Sequence, residues 1–389
     1  MGMDLLLETI YFSTVNILST LLSPLFWIVA CIVLFQYIKT GKMEKGILGQ
    51  YKRSPFLNTI SSIVFGLVGG ILGSIVFIHY KVFISQSDFI FLLPLSLILS
   101  ILHPRFICFS YAGGIVSLSS LILGWPNINV TGIMFVVGVL HLIESMLILL
   151  DGTSSRIPIF MEKDNHIIGG FAMNRFWPVP FVMFLQGKTN PMTLIAILGY
   201  GDLSLSSLPE KKARHTSILL FFFSIILIIL SIKSQRDYTY KYLAAIFAPV
   251  AHEIIIALGR LNEERGKYIF KPSSKGLKIL DTLPGSIGEK IGFKSGDILI
   301  SINGRRIFSK EDVEEILYYR PRILWMDILD VKKGYISKEY KNSKGKGINS
   351  LGLIVISDTP DYQLIVEEKE SSIARFINRF RQKRSTFRS

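Results

Sequence analysis

The chain has 389 residues, of which 50% are hydrophobic and only 19% charged, with a mean hydropathy of +0.44. That is too apolar for a chain that keeps its whole surface in water, and it excludes a disordered, collagenous or disulfide-stapled protein. The 43 basic residues against 29 acidic ones leave a formal charge of +14. In an integral membrane protein that excess marks loops held on the cytoplasmic side and contact with anionic lipid, with no nucleic acid implied. The two cysteines, Cys31 and Cys108, each lie in an apolar run and form no redox or metal-knuckle spacing.

Seven apolar runs are long enough, or nearly so, to cross a bilayer, which takes about 20 helical residues: 18–38, 60–79, 89–102, 106–124, 130–150, 216–233 and 242–258. Residues 1–17 contain Asp4 and Glu8 and lack a basic n-region, so they read as the lead into a retained anchor. The loop after the first run carries Lys39, Lys42, Lys45, Lys52 and Arg53 and is expected in the cytoplasm. Segment 151–215 returns to that side with Arg156, Lys163, Arg175, Lys188, Lys211, Lys212 and Arg214. Seven crossings then place everything beyond Leu258 in the cytoplasm. Lys233, Arg236 and Lys241 disagree. An eighth crossing at 191–205 would repair that loop but move the whole tail outside, so this stretch is expected to be re-entrant or surface-lying.

Gly66, Gly69, Gly70 and Gly73 form two interleaved G-x-x-x-G spacings, where another backbone can approach closely. Packing within one chain is the expected use; a homo-oligomer contact is the other. Buried ionisable groups are few: His141 and Glu144, three apart on one run, and His252-Glu253 on another. The pair His252-Glu253 opens an H-E-x-x-H zinc motif, but the second His position is Ile256. These groups are expected to pair with one another, without a metal or cofactor. Gly199-Tyr200-Gly201-Asp202 echoes a potassium filter, although Ile197 stands where the filter has threonine.

From Lys275 the text KGLKILDTLPGSIGEKIGFKSGDILISINGRRIFSKEDVEEIL gives a strand, a Pro284-Gly285 turn, a short helix, and a strand running into Asn303-Gly304. Ser309 then caps a helix with Glu311 and Asp312 in its first turn. Strands at 322–331, 335–340 and 351–357 follow, around a polar loop at 341–349. This order resembles bacterial PDZ domains in the arrangement where the peptide-binding strand comes first. The resemblance implies a domain over 259–360, after a helical membrane domain over 1–258. It implies an extended peptide added to the edge of Lys275, Gly276, Leu277, Lys278, Ile279 and Leu280, facing Val313, Ile316 and Leu317 of the helix.

Residues 361–389 end in SSIARFINRFRQKRSTFRS. Ile373, Phe376, Ile377 and Phe380 make one apolar stripe, surrounded by Arg375, Arg379, Arg381, Lys383, Arg384 and Arg388. Such a helix is suited to the interface of an anionic leaflet.

No catalytic set is legible, and a membrane-bound scaffold is the expected class; a peptidase or transporter regulated by its PDZ domain is the alternative. Pro24-Leu25-Phe26-Trp27, the glycines of 61–74, Arg175-Phe176-Trp177-Pro178-Val179-Pro180 and Gly199-Tyr200-Gly201-Asp202 resemble the family of MinJ, the cell-division topological determinant of Gram-positive bacteria. That resemblance implies a multi-pass cell-membrane bridge between the polar protein DivIVA and MinD in septum-site selection.

Overall fold

The computed structural model describes residues 3–80, 83–163, 166–185, 192–342 and 346–356. The basic tail at 361–389 lies outside them. The N-terminal part contains α1 (Met3–Thr20), α2 (Pro24–Leu48), α3 (Pro55–Tyr80), the two-residue strand β1 (Phe83–Ile84), α4 (Gln86–Leu102), α5 (Phe109–Leu123) and α6 (Val130–Asp151). Three strands follow, β2 (Ile157–Lys163), β3 (His166–Leu185) and β4 (Met192–Ser204), and then α7 (Pro209–Lys233) and α8 (Thr239–Arg265). Helices α2, α3, α6, α7 and α8 are long and apolar enough to cross a membrane, while the apolar α4 and α5 are shorter. These seven coincide with the seven apolar runs, and the chain is a polytopic helical membrane protein.

Three boundaries differ from the sequence reading. The first run is broken at Ser23, which is extended before Pro24, because the residue preceding a proline is driven out of the helical region. Proline then opens α2 as its first helical residue, where its missing N–H costs nothing. The basic loop at 39–57 is mostly helix: α2 continues to Leu48 and ends where Gly49 turns left-handed at φ 72° and its N–H returns to the Lys45 carbonyl. The expected domain boundary at Gly259 falls inside α8, which continues to Arg265. Glu263 anchors that last turn, accepting from the Leu205 and Ser206 amides at 2.7 Å each and from the Ser207 hydroxyl at 2.7 Å.

The larger departure is the segment expected as a cytoplasmic loop. β2, β3 and β4 form an antiparallel sheet, with β3 paired to β2 over its first third and to β4 from Phe171 to Met183. The distal half of β3 enters the helical bundle: Trp177, Val179, Phe181 and Met183 are buried in one core with Met134, Val137 and Leu140 of α6 and Phe77 of α3. Gly199–Asp202 pair with Phe176, Arg175, Asn174 and Met173 in this ladder, so the filter-like sequence is strand and not helix.

A strand at membrane depth must satisfy every backbone group, since no water is there to do so. β3 meets this on its free edge in two ways. The Phe176 N–H donates to the Tyr37 hydroxyl at 3.1 Å and the Val182 N–H to the Ser74 hydroxyl at 2.8 Å. Between them, at the same alternation, stand Pro178 and Pro180, which have no N–H to satisfy. Their carbonyls lie against α3, where a Cβ on Gly66 would sit 2.0 Å from the Pro178 oxygen and one on Gly70 1.8 Å from the Pro180 oxygen. The second stripe, Gly69 and Gly73, receives Ile143 of α6. Both G-x-x-x-G spacings are therefore occupied within the chain.

A buried ion pair ties this hairpin to α6. Arg175 is fully buried; its Nε donates to Asp151 Oδ2 at 2.9 Å and its Nη2 pairs with the same oxygen, while Trp177 Nε1 donates there at 2.8 Å. Ser155 accepts from Nη1 at 2.9 Å, and the guanidinium lies over the Tyr37 ring.

The C-terminal domain contains β5 (Leu277–Thr282), α9 (Ile287–Ile291), β6 (Ile298–Ile302), β7 (Arg305–Arg306), α10 (Lys310–Tyr318), β8 (Ile323–Asp330), β9 (Gly334–Lys341) and β10 (Leu353–Ile356). Its sheet runs β10-β5-β6-β8-β9, with β7 paired to β6. Asn303 and Gly304, both at positive φ (49° and 79°), make the tight turn after β6. The domain is seated on the base of the hairpin: Leu280 and Ile356 share a buried cluster with Ile47 and Leu48 of α2, Ile159 of β2 and Phe171 of β3. Lys52 pairs with Asp281 across this junction, and the Gly169 N–H donates to the Phe270 carbonyl at 2.8 Å.

Candidate functional site: a peptide groove

α10 begins with a reciprocal cap. The Asp312 amide donates to the Ser309 hydroxyl at 3.3 Å, and the Asp312 carboxylate accepts from the Phe308 and Ser309 amides at 2.8 and 3.0 Å. These bonds, Phe308 first, hold the Asp312 carboxyl below its ordinary range. A depressed folded-state pKa contributes stability above the unfolded value of about 3.9 and loses it as pH falls through the folded value. Ser309→Ala is expected to cost about 1 kcal/mol. Amide exchange in the first turn of α10 at neutral pH would rise about fivefold; unchanged protection would show that the cap does not hold the helix.

The helix turns Val313 and Leu317 into the domain core with Leu277, Leu299, Ile302 and Leu324, while Ile316 is half-buried at its margin. Leu353 and Val355 of β10 pack on the same cluster. β10 ends the sheet: one edge pairs with β5, and among the described residues no strand pairs with the other. The loop before it is fixed by Gly352 at φ 64°, whose carbonyl accepts from the Leu283 amide at 2.8 Å, and by Leu351, whose carbonyl accepts from Gly288 at 2.7 Å. A Cβ on Gly352 would sit 2.4 Å from that of Ser286, so glycine is required there on both counts.

In this arrangement the strand expected to receive a peptide is already paired. β5 is paired on both sides, to β6 at Leu277 and Lys278 and to β10 from Lys278 to Thr282. Gly276 lies against the Leu299 carbonyl, and Lys275 donates its amide to Ser273. Lys278 Nζ is spent on the Ile269 carbonyl at 2.9 Å, Ile279 is core, and Leu280 faces the hairpin. The chain's own last strand fills the place where the ligand was expected, and the open edge moves one strand outward to β10. Val313 and Leu317 of the helix lie in the core on which β10 packs, and Ile316 lies at its margin. The signal available in sequence was Leu351-Gly352-Leu353, a glycine between two apolar residues at the entry to a short strand.

The other singled-out residues assemble elsewhere. Glu253 of α8 is held by Arg105 at 3.1 Å and by the Tyr111 hydroxyl at 2.7 Å, and His141 lies 3.9 Å from Glu144. The two histidines do not simply pair with these carboxylates. Both approach Cys108, which the sequence reading set aside.

An edge strand beside a capped helix, with a glycine-bearing loop at its entry, defines a PDZ domain, and the molecule is a membrane protein that carries one. The family model for the PDZ domain matches residues 279–328. Over 210 residues the chain is 22% identical to the cell division topological determinant MinJ of Bacillus subtilis (strain 168), a match covering 49% of this chain and 52% of that relative. The match thus spans about half the length of the curated relative. The crystal structure of the PDZ domain of the SdrC-like protein from Listeria monocytogenes is 12% identical and covers 22% of this chain and 92% of that one, with a TM-score of 0.18. The chain thus carries a PDZ domain and is similar to MinJ over about half of its length.

Proposed function

We propose that this protein is a membrane-anchored adaptor, not an enzyme, that recruits partners by binding an extended C-terminal peptide between β10 and α10. The open edge of β10, whose Leu353 and Val355 pack on the same apolar cluster as Ile316, carries the reading: backbone groups there can add a strand, and the apolar floor supplies side-chain selectivity. The likeness to MinJ supports a role in division-site selection, bridging a polar DivIVA-like protein and a MinD-like one at the cell membrane. Ile316 is the residue to test, because Val313 is in the core and a charge there would unfold the domain. Ile316→Arg is expected to reduce recovery of division-protein partners with the full-length chain at least tenfold while its melting temperature stays within a few degrees. Unchanged recovery would exclude this groove as the recruiting surface.

The reading requires the PDZ domain to face the cytoplasm, as the basic loops favour. A cysteine at the exposed Lys333, introduced with Cys31→Ser, should resist a membrane-impermeant thiol reagent in intact cells and react after lysis. Labelling of intact cells above the parent chain would reverse the topology. The basic tail, with Ile373, Phe376, Ile377 and Phe380 on one stripe, would rest on the anionic leaflet and hold the groove near membrane-bound partners.

A further inference from the structure

Three elements far apart in sequence bring Cys108, His141 and His252 to one point. Cys108 caps the N-terminus of α5, His141 is buried on α6, and His252 sits on α8 one turn after Pro249, which packs on Gly114 of α5. The ligating atoms of all three lie within 4.8 Å of one another. His141 Nε2 is 3.1 Å and His252 Nε2 3.7 Å from Cys108 Sγ. A tetrahedral zinc ion with bonds of about 2.3 Å to sulfur and 2.0 Å to nitrogen places those atoms about 3.5 Å apart.

Both imidazoles are oriented for ligation by their other nitrogen. His141 Nδ1 lies 2.7 Å from the Val137 carbonyl, which can only accept, so Nδ1 carries a proton and the neutral imidazole presents a bare Nε2. His252 Nδ1 lies 3.2 Å from the Tyr111 hydroxyl. That hydroxyl gives its own proton to Glu253, which Arg105 pins, and so accepts from His252 Nδ1. In the neutral ring Nε2 is again the bare nitrogen, and it lies toward the sulfur. Partners of this kind on the outer nitrogen are what fix metal-ligating histidines in place. Glu144 stands beside the cluster, 3.9 Å from His141 Nε2, where a fourth oxygen ligand or a water would complete the sphere.

We propose that Cys108, His141 and His252 bind a zinc-class divalent ion, whose fourth position a rotation of the neighbouring Glu144 would fill. One thiolate and two imidazoles suit zinc, and oxygen-seeking magnesium or calcium would be rejected. The ion would clasp α5, α6 and α8, the last of which leads into the PDZ domain. Glu253 faces Tyr111 and Arg105, so the site is a clasp without the general base of a peptidase.

Full-length protein purified in detergent and desalted should retain about one zinc per chain by elemental analysis, as a closed four-coordinate site does. Cys108→Ser and His252→Asn should each lower that content at least tenfold, whereas Cys31→Ser should leave it unchanged. Tyr111→Phe removes only the outer partner and should weaken zinc affinity about 10- to 100-fold. Cobalt added to the zinc-stripped parent chain should give a thiolate charge-transfer band in the near ultraviolet, a readout that needs no variant to fold. A folded parent chain that retains no zinc and gives no such band would overturn the proposal, as would zinc content that survives Cys108→Ser.

Discussion

Gly70→Ala is expected to unseat the β-hairpin from the helical bundle, at a cost of about 3 kcal/mol or more, the upper end of overpacking effects. The added methyl would stand 1.8 Å from the Pro180 carbonyl oxygen. That oxygen belongs to a strand whose position is fixed on its other side by the ladder to β4. Neither backbone can yield without breaking the bonds from Phe176 to Tyr37 and from Val182 to Ser74. Gly73→Ala provides the contrast, because its methyl meets chiefly Cδ1, the far end of the Ile143 side chain, at 2.5 Å, and a χ2 change relieves it. Thermal unfolding in detergent should separate the two by more than 5 °C. Equal melting temperatures would mean that β3 does not lie on the α3 glycines.

Arg175→Ala should be as damaging for a different reason. The substitution leaves Asp151 buried, with one carboxylate oxygen that had accepted from both Arg175 and Trp177. Breaking a buried pair from one side costs about 3–5 kcal/mol, chiefly because the survivor remains charged in a poor solvent. Replacing both members, as Arg175→Met with Asp151→Leu, should recover most of that loss. If the double variant is no more stable than the single one, the network contributes through shape and packing instead of charge.

The parts legible in the sequence were those whose signals are local. The capping box at Ser309, the Asn303-Gly304 turn and the two strands after it each declare themselves within a few residues, and the β9 alternation is uninterrupted. The long apolar helices were equally plain. The hairpin was not, because Pro178 and Pro180 argue against an interior strand by the ordinary rule. Here the prolines sit on the edge facing α3, where a missing donor is an advantage, and only the neighbouring glycines reveal this. The pairing of β10 with β5 was not legible because β10 follows a long insert, so it joins residues more than 70 apart and leaves no spacing motif. The Cys108 cluster was hidden for the same reason: its ligands come from three helices, and a lone cysteine in an apolar run carries no signature.

Partners are proposed to bind in the groove between β10 and α10. A photo-crosslinking amino acid placed at Ile316 in the full-length chain tests it most directly, with the exposed Tyr335 on the far hairpin of the same domain as control. Crosslinks to a division protein at position 316, abolished by truncating that partner's C-terminal residues and absent at position 335, are the expected result. Crosslinks at 335 alone, or crosslinks at 316 that survive the truncation, would contradict it.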